Sequence, residues 1–266
     1  MARAPGWTVL AIALMGLLAL PLHARGEDGA IEPDRPDVTN GVKTVPPGAF
    51  QIETGAAYSQ RSIAASHAEG RLAVETTLRA GLTERLEMRL DGEPFVRLRG
   101  EEDDTSHGDL TLGLKYRVLD GREGQWFPAL GIQPFVKVPI ADAPIGSERP
   151  DVGLIALASF DLPWELGLDA NAGMAAIGQS RPSGYLLQAL VSASLSRPVT
   201  TGLTTFAEIF FASRDERDSR ERVGLDAGIV WRLERFLAID AAATTSLAGP
   251  VPDFTLRTGV SVRLGR

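Results

Sequence analysis

The sequence predicts an all-β fold: a closed antiparallel transmembrane β-barrel of about 12 strands, with short periplasmic turns and longer extracellular loops. Three observations predict it. Apolar and polar residues alternate through a succession of segments, each near the roughly 9 to 11 residues that a tilted membrane strand needs. Tight connections take turns with longer, more polar ones. The aromatic residues gather at the two ends of the segments rather than in their middles.

The chain opens with a single basic residue, Arg3, an apolar run from Trp7 to Leu20, and a small-residue cleavage point after Ala24. The run is too short to span a bilayer comfortably and reads as a secretory signal peptide, residues 1–24. Residues 25–48 follow as a periplasmic N-terminal segment, and residues 49–266 form the barrel. In the segment, "EPDRPDVTNG" has charges and hydrogen-bonding side chains but no apolar period, a composition that fits a tether. The other reading is a plug, in which Asp34, Arg35 and Asp37 fold back to meet charges inside the barrel. "TVPPGAF" is the strand entry: Pro46 and Pro47 restrict the backbone, and Gly48 permits a turn before pairing starts.

"FQIETGAAY" opens the first strand. The tight "GLTE", residues 81–84, joins the second to the third, and the polar stretch "GEPFVRLRGEEDDTSH" leads to the clearest strand of all, "GDLTLGLKYRV". There Leu110, Leu112, Leu114, Tyr116 and Val118 oppose Asp109, Thr111, Gly113, Lys115 and Arg117, a strict period of two. A turn at 119–126 and the segment "PALGIQPFVKV" follow, then the loop "PIADAPIGSERPD" and the tight "DLPW" at 161–164. "WELGLDANAGM" repeats the alternation and ends in "GQSRPSG". Beyond the turn at 196–202, "FAEIFF" leads to the charged "SRDERDSRE", and "VGLDAGIVWRL" to the tight "LERF" at 233–236. "LAGPVPD" precedes the last strand, "FTLRTGVSVRL". An even strand count leaves both termini on the periplasmic side.

Trp126, Trp164 and Trp231 fall beside the short turns, with Phe127, Phe160 and Phe236 nearby; Tyr58, Phe95, Phe135, Tyr185, Phe211 and Phe254 fall at the opposite ends. Rings that carry a polar atom favour the headgroup level, so two clusters predict two membrane interfaces. A soluble sandwich or lipocalin-like barrel also alternates, but it keeps its polar face outside and its interior dry. Here charged residues and glycines sit mid-strand opposite aliphatic ones, and about twelve strands enclose more space than aliphatic side chains alone fill.

Composition narrows the function. Among 266 residues there is no cysteine, which excludes disulfides, thiolate metal sites and cysteine nucleophiles. Without Arg3 the mature chain has 26 basic against 34 acidic residues, a net charge of −8 that argues against nucleic acid as a partner. No metal or cofactor motif is present; the acidic loop "GEEDDTSHGD" lacks the ligand order of an EF-hand. His67 and His107 each follow a serine in an external loop, without the orienting group a nucleophile needs, so no catalytic residues are assigned and no enzyme is expected.

Projected onto a barrel, the alternation sends Glu53, Arg71, Glu75, Arg79, Arg85, Arg89, Lys115, Lys137, Asp169, Glu208, Asp226 and Arg257 into the lumen, with Glu87, Asp91 and Asp240 beside them. Arg71, Arg79, Arg85 and Arg89 on the second and third strands stand against acids on later strands, a separation that sets up a field across the pore. Paired across the lumen, the same charges neutralise one another and need have no role in selection.

"DRPDVTNGVKTVPPGAFQIETGAAYS" carries a more specific signal. On it the chain resembles the outer-membrane barrel family named after the meta-pathway of phenol degradation, which has an Asp-Arg-Pro segment, a threonine, and a Val-Pro-x-Gly turn running into a first strand with an inward glutamate. "HGDLTLGLKYRV", "PALGIQPFVKVPIAD" and "FAEIFF" extend the resemblance over nearly all of the mature chain. It implies export to the bacterial outer membrane and passage of small molecules, aromatic ones among them. The last strand, with Arg257, Gly259, Val262 and Leu264, partly matches the signal read by the barrel assembly machinery, though no terminal aromatic closes it. The expected function is an outer-membrane channel or transporter for passive passage of small, aromatic or hydrophobic compounds. Its expected partners are outer-membrane lipids, lipopolysaccharide, the assembly machinery and a small-molecule permeant. The alternative is a non-transporting structural or adhesive barrel whose lumen is closed.

Overall fold

A period-two pattern fits only an extended backbone, and where the sequence carries it the chain forms strands. The computed structural model describes residues 29–64, 67–100, 103–122, 126–180, 182–249 and 252–265. The expected signal peptide, residues 1–24, lies outside the described residues. The strands are β1 (Phe50–Ala64), β2 (His67–Thr83), β3 (Leu86–Arg99), β4 (Asp104–Ser106), β5 (Leu110–Leu119), β6 (Ala129–Val138), β7 (Asp151–Leu162), β8 (Leu166–Gln179), β9 (Gly184–Pro198), β10 (Leu203–Ala212), β11 (Arg222–Glu234), β12 (Leu237–Ala248) and β13 (Phe254–Leu264).

Twelve of them close into an antiparallel barrel. β1 pairs with β2 on one side and β13 on the other, from Phe50 opposite Leu264 to Gln60 opposite Phe254, so the wall has no free edge. β4 is the extra strand, a short piece pairing with the upper end of β3. Where β3 carries Glu93 and Pro94 against the single Glu75 of β2, the ladder bulges, which accommodates a proline with no N–H to donate.

Burial is inverted relative to a soluble protein. Lys115, Glu53 and Glu87 are fully buried and Glu208 nearly so, whereas Leu154 and Leu187 are 50% and 62% exposed. Leu112, Leu114, Val152 and Met174 are exposed with them in an apolar band around the barrel. Such a band with a polar interior is the signature of a lipid-facing wall, and it excludes the soluble sandwich. Both aromatic clusters face outward at Trp126, Trp164 and Trp231 and at Tyr58, Phe95 and Tyr185. Tyr58 and Phe254 lie tilted against each other with centroids 6.0 Å apart.

Two expectations need correction here. Phe135 shares the inward face of β6 with Gln133 and Lys137, and its ring lies over Gly153 of β7, so it belongs to the lumen and not to the outer belt. Several stretches expected as loops are strand: β1 and β2 run to Ala64 and from His67, and β3 runs on to Arg99. Above the bilayer the outward residues no longer need to be apolar, so the alternation fades although the backbone hydrogen bonds continue. Two long extracellular connections, 139–150 and 213–221, fold toward the mouth. Ile145, Gly146, Ser147 and Glu216 help to line the cavity beneath them.

Candidate functional site in the barrel lumen

Inward positions on β1, β2, β3 and β5 build one wall. Arg79, 2% exposed, donates to Glu87 at 2.7 and 2.9 Å and to Glu53 at 2.8 Å. Arg89 pairs with Asp91 at 3.1 Å. Lys115, across the β3–β5 ladder from Glu87, completes the group. The opposite wall, on β8, β10, β11 and β12, presents Asp169, Glu208, Asp226 and Asp240. Arg257 stands between the walls, 3.5 Å from Glu75 and 3.6 Å from Asp226.

Residues 29–49 run through the space between these walls. The backbone N–H groups of Asp34 and Arg35 donate to the Glu53 carboxylate at 3.0 and 3.1 Å. The Asp34 side chain turns to the basic wall, where Lys115 Nζ is 2.6 Å away, Arg79 Nη1 3.4 Å, and Arg89 is in direct contact. Arg35 reaches the other way, 3.1 Å from Glu75 and 3.5 Å from Asp240. Beyond Pro36 the segment follows the acidic wall: Val38 N–H donates to Glu208 at 2.8 Å, the Thr39 hydroxyl to Glu208 at 2.5 Å, Asn40 N–H to Asn171 at 2.8 Å, and Val42 N–H to Ser159 at 3.0 Å. Val45 N–H then returns to Glu87 at 2.8 Å. Backbone amides of the segment thus meet Glu208, and also Glu53 and Glu87, which Arg79 serves as well; the low dielectric of the interior makes such bonds worthwhile.

Close approach requires glycine in the wall. Gly55 of β1 faces Gly259 of β13, and a Cβ at Gly55 would collide with Arg35 Nη2 and with the Thr258 carbonyl. The guanidinium of Arg35 therefore lies against a patch of bare backbone.

Electrostatics differ along the segment. Burial alone would raise the Asp34 pKa, but Arg79, Lys115 and Arg89 outweigh it and hold the carboxyl well below the usual carboxylate range. Asp37 goes the other way. Burial and then the neighbouring Glu208 push it up, a hydrogen bond from Ser194 offsets part of this, and Asp169 and Asp34 add to the rise.

Of the residues predicted from parity, Glu53, Arg79, Arg89, Lys115, Glu208 and Asp226 are buried in the lumen. Glu75, Asp169 and Arg257 line it less deeply. Arg71 pairs with Glu93 at 2.5 Å, and Lys137 bridges Asp151 and, at 3.9 Å, Asp109 near the extracellular mouth. Arg85 is the exception. It sits in the two-residue turn between β2 and β3, half-exposed, 2.5 Å from Asp120 at the periplasmic rim. The parity that places Glu87 inward breaks at the turn, so extrapolating it two residues back fails. Thr39, Asn171, Ser159 and Ser192 are uncharged partners in the site; only the inward parity of the wall residues could have found them.

Above the segment lies a cavity of about 650 Å³ whose floor is Asp34, Arg35 and Asp37 and whose sides include Arg89 and Lys137. His107 bonds the Gly108 carbonyl at 3.1 Å in the turn before β5, while the side chain of His67 lies outside the described residues. Among the described residues no cluster of His, Cys, Asp or Glu is arranged to hold a metal.

The model of the family described as "Putative MetA-pathway of phenol degradation" matches residues 33–264. The chain belongs to that family. The phenol-degradation family match starts within the segment that threads the lumen, at Pro33, and so includes Asp34, Arg35 and Asp37. Among solved structures the family member is similar to the COG4313 outer membrane channel from Pseudomonas putida F1, with a TM-score of 0.68 at 17% identity over 88% of this chain and 100% of that one. It is also similar to the NanC porin, TM-score 0.53 at 11% identity over 81% and 100%, and to the β domain of the Bordetella autotransporter BrkA, TM-score 0.50 at 13% over 81% and 99%. These likenesses show an outer-membrane barrel fold. Comparison with curated proteins finds no match.

Proposed function

We propose that the protein is an outer-membrane channel for passive passage of small compounds, aromatic or hydrophobic ones among them, through a charged lumen narrowed by residues 29–49. The observation that carries this reading is the lumen itself: a closed barrel with buried charges on two facing walls, opening above the segment into a cavity of about 650 Å³. A wall built only for stability has no need of buried ions, since apolar side chains of similar volume serve as well or better. The similar protein from Pseudomonas putida F1 is an outer membrane channel, and the family is described by phenol degradation; both support the same reading. Passage of this kind needs no catalytic group. Export through a signal peptide cleaved after Ala24, insertion by the barrel assembly machinery, and contact with lipid and lipopolysaccharide complete the proposal.

Liposome swelling with small aromatics beside sugars of equal size tests it. Faster swelling with the aromatics is expected; no swelling with any solute would refute it. One observation favours the alternative of a closed, non-transporting barrel, namely the many hydrogen bonds that hold residues 34–45. Persistent absence of openings in a planar bilayer would select that alternative.

A further inference from the structure

Lys115 is fully buried on β5, and among the described residues the carboxylate in ion-pair contact with it is Asp34. The acids of the wall make their close pairs elsewhere, although Glu87 stands opposite Lys115 across the ladder. Glu53 and Glu87 serve Arg79, and Asp91 serves Arg89. One oxygen of Asp34, Oδ2, therefore receives Lys115, Arg89 and Arg79 together, and it comes from the N-terminal segment rather than from the barrel. The cations keep donor capacity to spare: Nε of Arg89 is buried with no hydrogen-bond partner, and Arg89 lines the cavity above the segment. That cavity also presents Pro36, Val38 and Ile145 as apolar surface.

A buried ammonium that loses its close ion pair is costly, so Asp34 leaves this position far more readily when another anion enters. The fork of Arg79 is taken by Glu87, so the donors left for an incoming carboxylate are Arg79 Nη1, Arg89 Nη1 and Nε, and Lys115 Nζ, charge-assisted donors that all but Nε converge on one carboxylate oxygen. We propose that Arg79, Arg89 and Lys115 form a carboxylate-binding site, occupied at rest by Asp34, which a small aromatic carboxylate takes over from the cavity, releasing the N-terminal segment. The ring of such a ligand lies toward Pro36, Val38 and Ile145 while its carboxylate replaces that of Asp34. This deepens the channel reading and rests on it for the meaning of the release, but the site can be tested without transport.

Benzoate is the probe and benzyl alcohol its uncharged counterpart, titrated calorimetrically against the purified full chain. Asp34→Ala vacates the site and is expected to bind benzoate at least tenfold more tightly than the parent, with no change for benzyl alcohol. Adding Lys115→Met to Asp34→Ala is expected to abolish the gain. Equal benzoate affinity in parent and Asp34→Ala, or a gain that survives Lys115→Met, would overturn the proposal. A second measurement needs no variant. In the parent, benzoate is expected to speed proteolysis of residues 29–43 several-fold while benzyl alcohol does not, and an unchanged rate would overturn the release. If both results hold while no solute crosses the membrane, the channel reading falls and the carboxylate site stands.

Discussion

Arg79→Met removes the cation at the centre of the basic wall, and the loss can be worked from its partners. Arg79 makes two charge-assisted hydrogen bonds to Glu87, one to Glu53, and reaches the Glu32 carbonyl at 3.2 Å. Neither carboxylate is accessible to water, so methionine leaves two buried anions rather than one broken surface pair. Removing one partner of a buried pair costs about 3–5 kcal/mol, a factor of a few hundred to a few thousand in the folding equilibrium. The comparison is Arg85→Gln. Arg85 pairs with Asp120 at 2.5 Å, but both are about half-exposed, and exposed pairs contribute about 0–1 kcal/mol. Denaturant titration of the barrel in lipid vesicles, followed by the fluorescence of Trp126, Trp164 and Trp231, measures both. Arg79→Met combined with Glu87→Gln, which removes one stranded charge, is expected to recover much of the loss. An Arg79→Met variant within about 1 kcal/mol of Arg85→Gln would show that water reaches the wall and that its charges are not stranded by the substitution.

Three further outcomes are expected. Arg35→Ala removes the side chain that reaches Glu75 and Asp240, so proteolysis of residues 29–43 should quicken several-fold with the barrel intact; unchanged protection would mean that Arg35 is not an anchor. The pKa of Asp37 is raised, so its protonated form favours docking, and its contribution is lost as pH climbs from about 4, the free carboxylate value, through the raised one. Asp34 is lowered, so its contribution is present above about pH 4 and lost below it. Proteolysis of the segment should therefore quicken as the pH rises above about 4 in the parent and stay flat in Asp37→Asn; a parent profile that is already flat contradicts the assignment. Leu114→Arg, in the middle of β5 on the exposed band, should cost about 2–4 kcal/mol in vesicle refolding, and no cost would argue that this face does not meet lipid.

The barrel was legible because closure and lipid contact both impose the same period of two, and β5, β8, β11 and β13 carry it almost without interruption. Inward parity then assigns Glu53, Arg79, Arg89, Lys115 and Glu208 to the lumen, since one side of each strand must face it, and all five are buried. Legibility ends where that constraint ends. Arg85 lies in a turn, Phe135 lies over a glycine on the inner face, and the upper parts of β1, β2 and β3 stand above the bilayer where alternation is not required. The path of residues 29–49 has no period at all. Its contacts depend on complementary charge and on the bare backbone at Gly55 and Gly259, features that acquire meaning only when distant strands are brought together. Two alternatives for this segment, tether or plug, are therefore equally compatible with the sequence; its backbone amides donate to Glu53, Glu208 and Asn171, which favours the second.

On the proposed reading, residues 29–49, hydrogen-bonded to a basic and an acidic wall, narrow a lumen that otherwise runs through the barrel, and the channel function rests on that narrowing. Single-channel conductance decides it, measured on the full chain and on a variant lacking residues 29–43 in the same planar bilayer and salt. A several-fold larger conductance is expected for the variant, because the wall charges then face water instead of the segment. Equal conductance, or none in either protein, would contradict the narrowing.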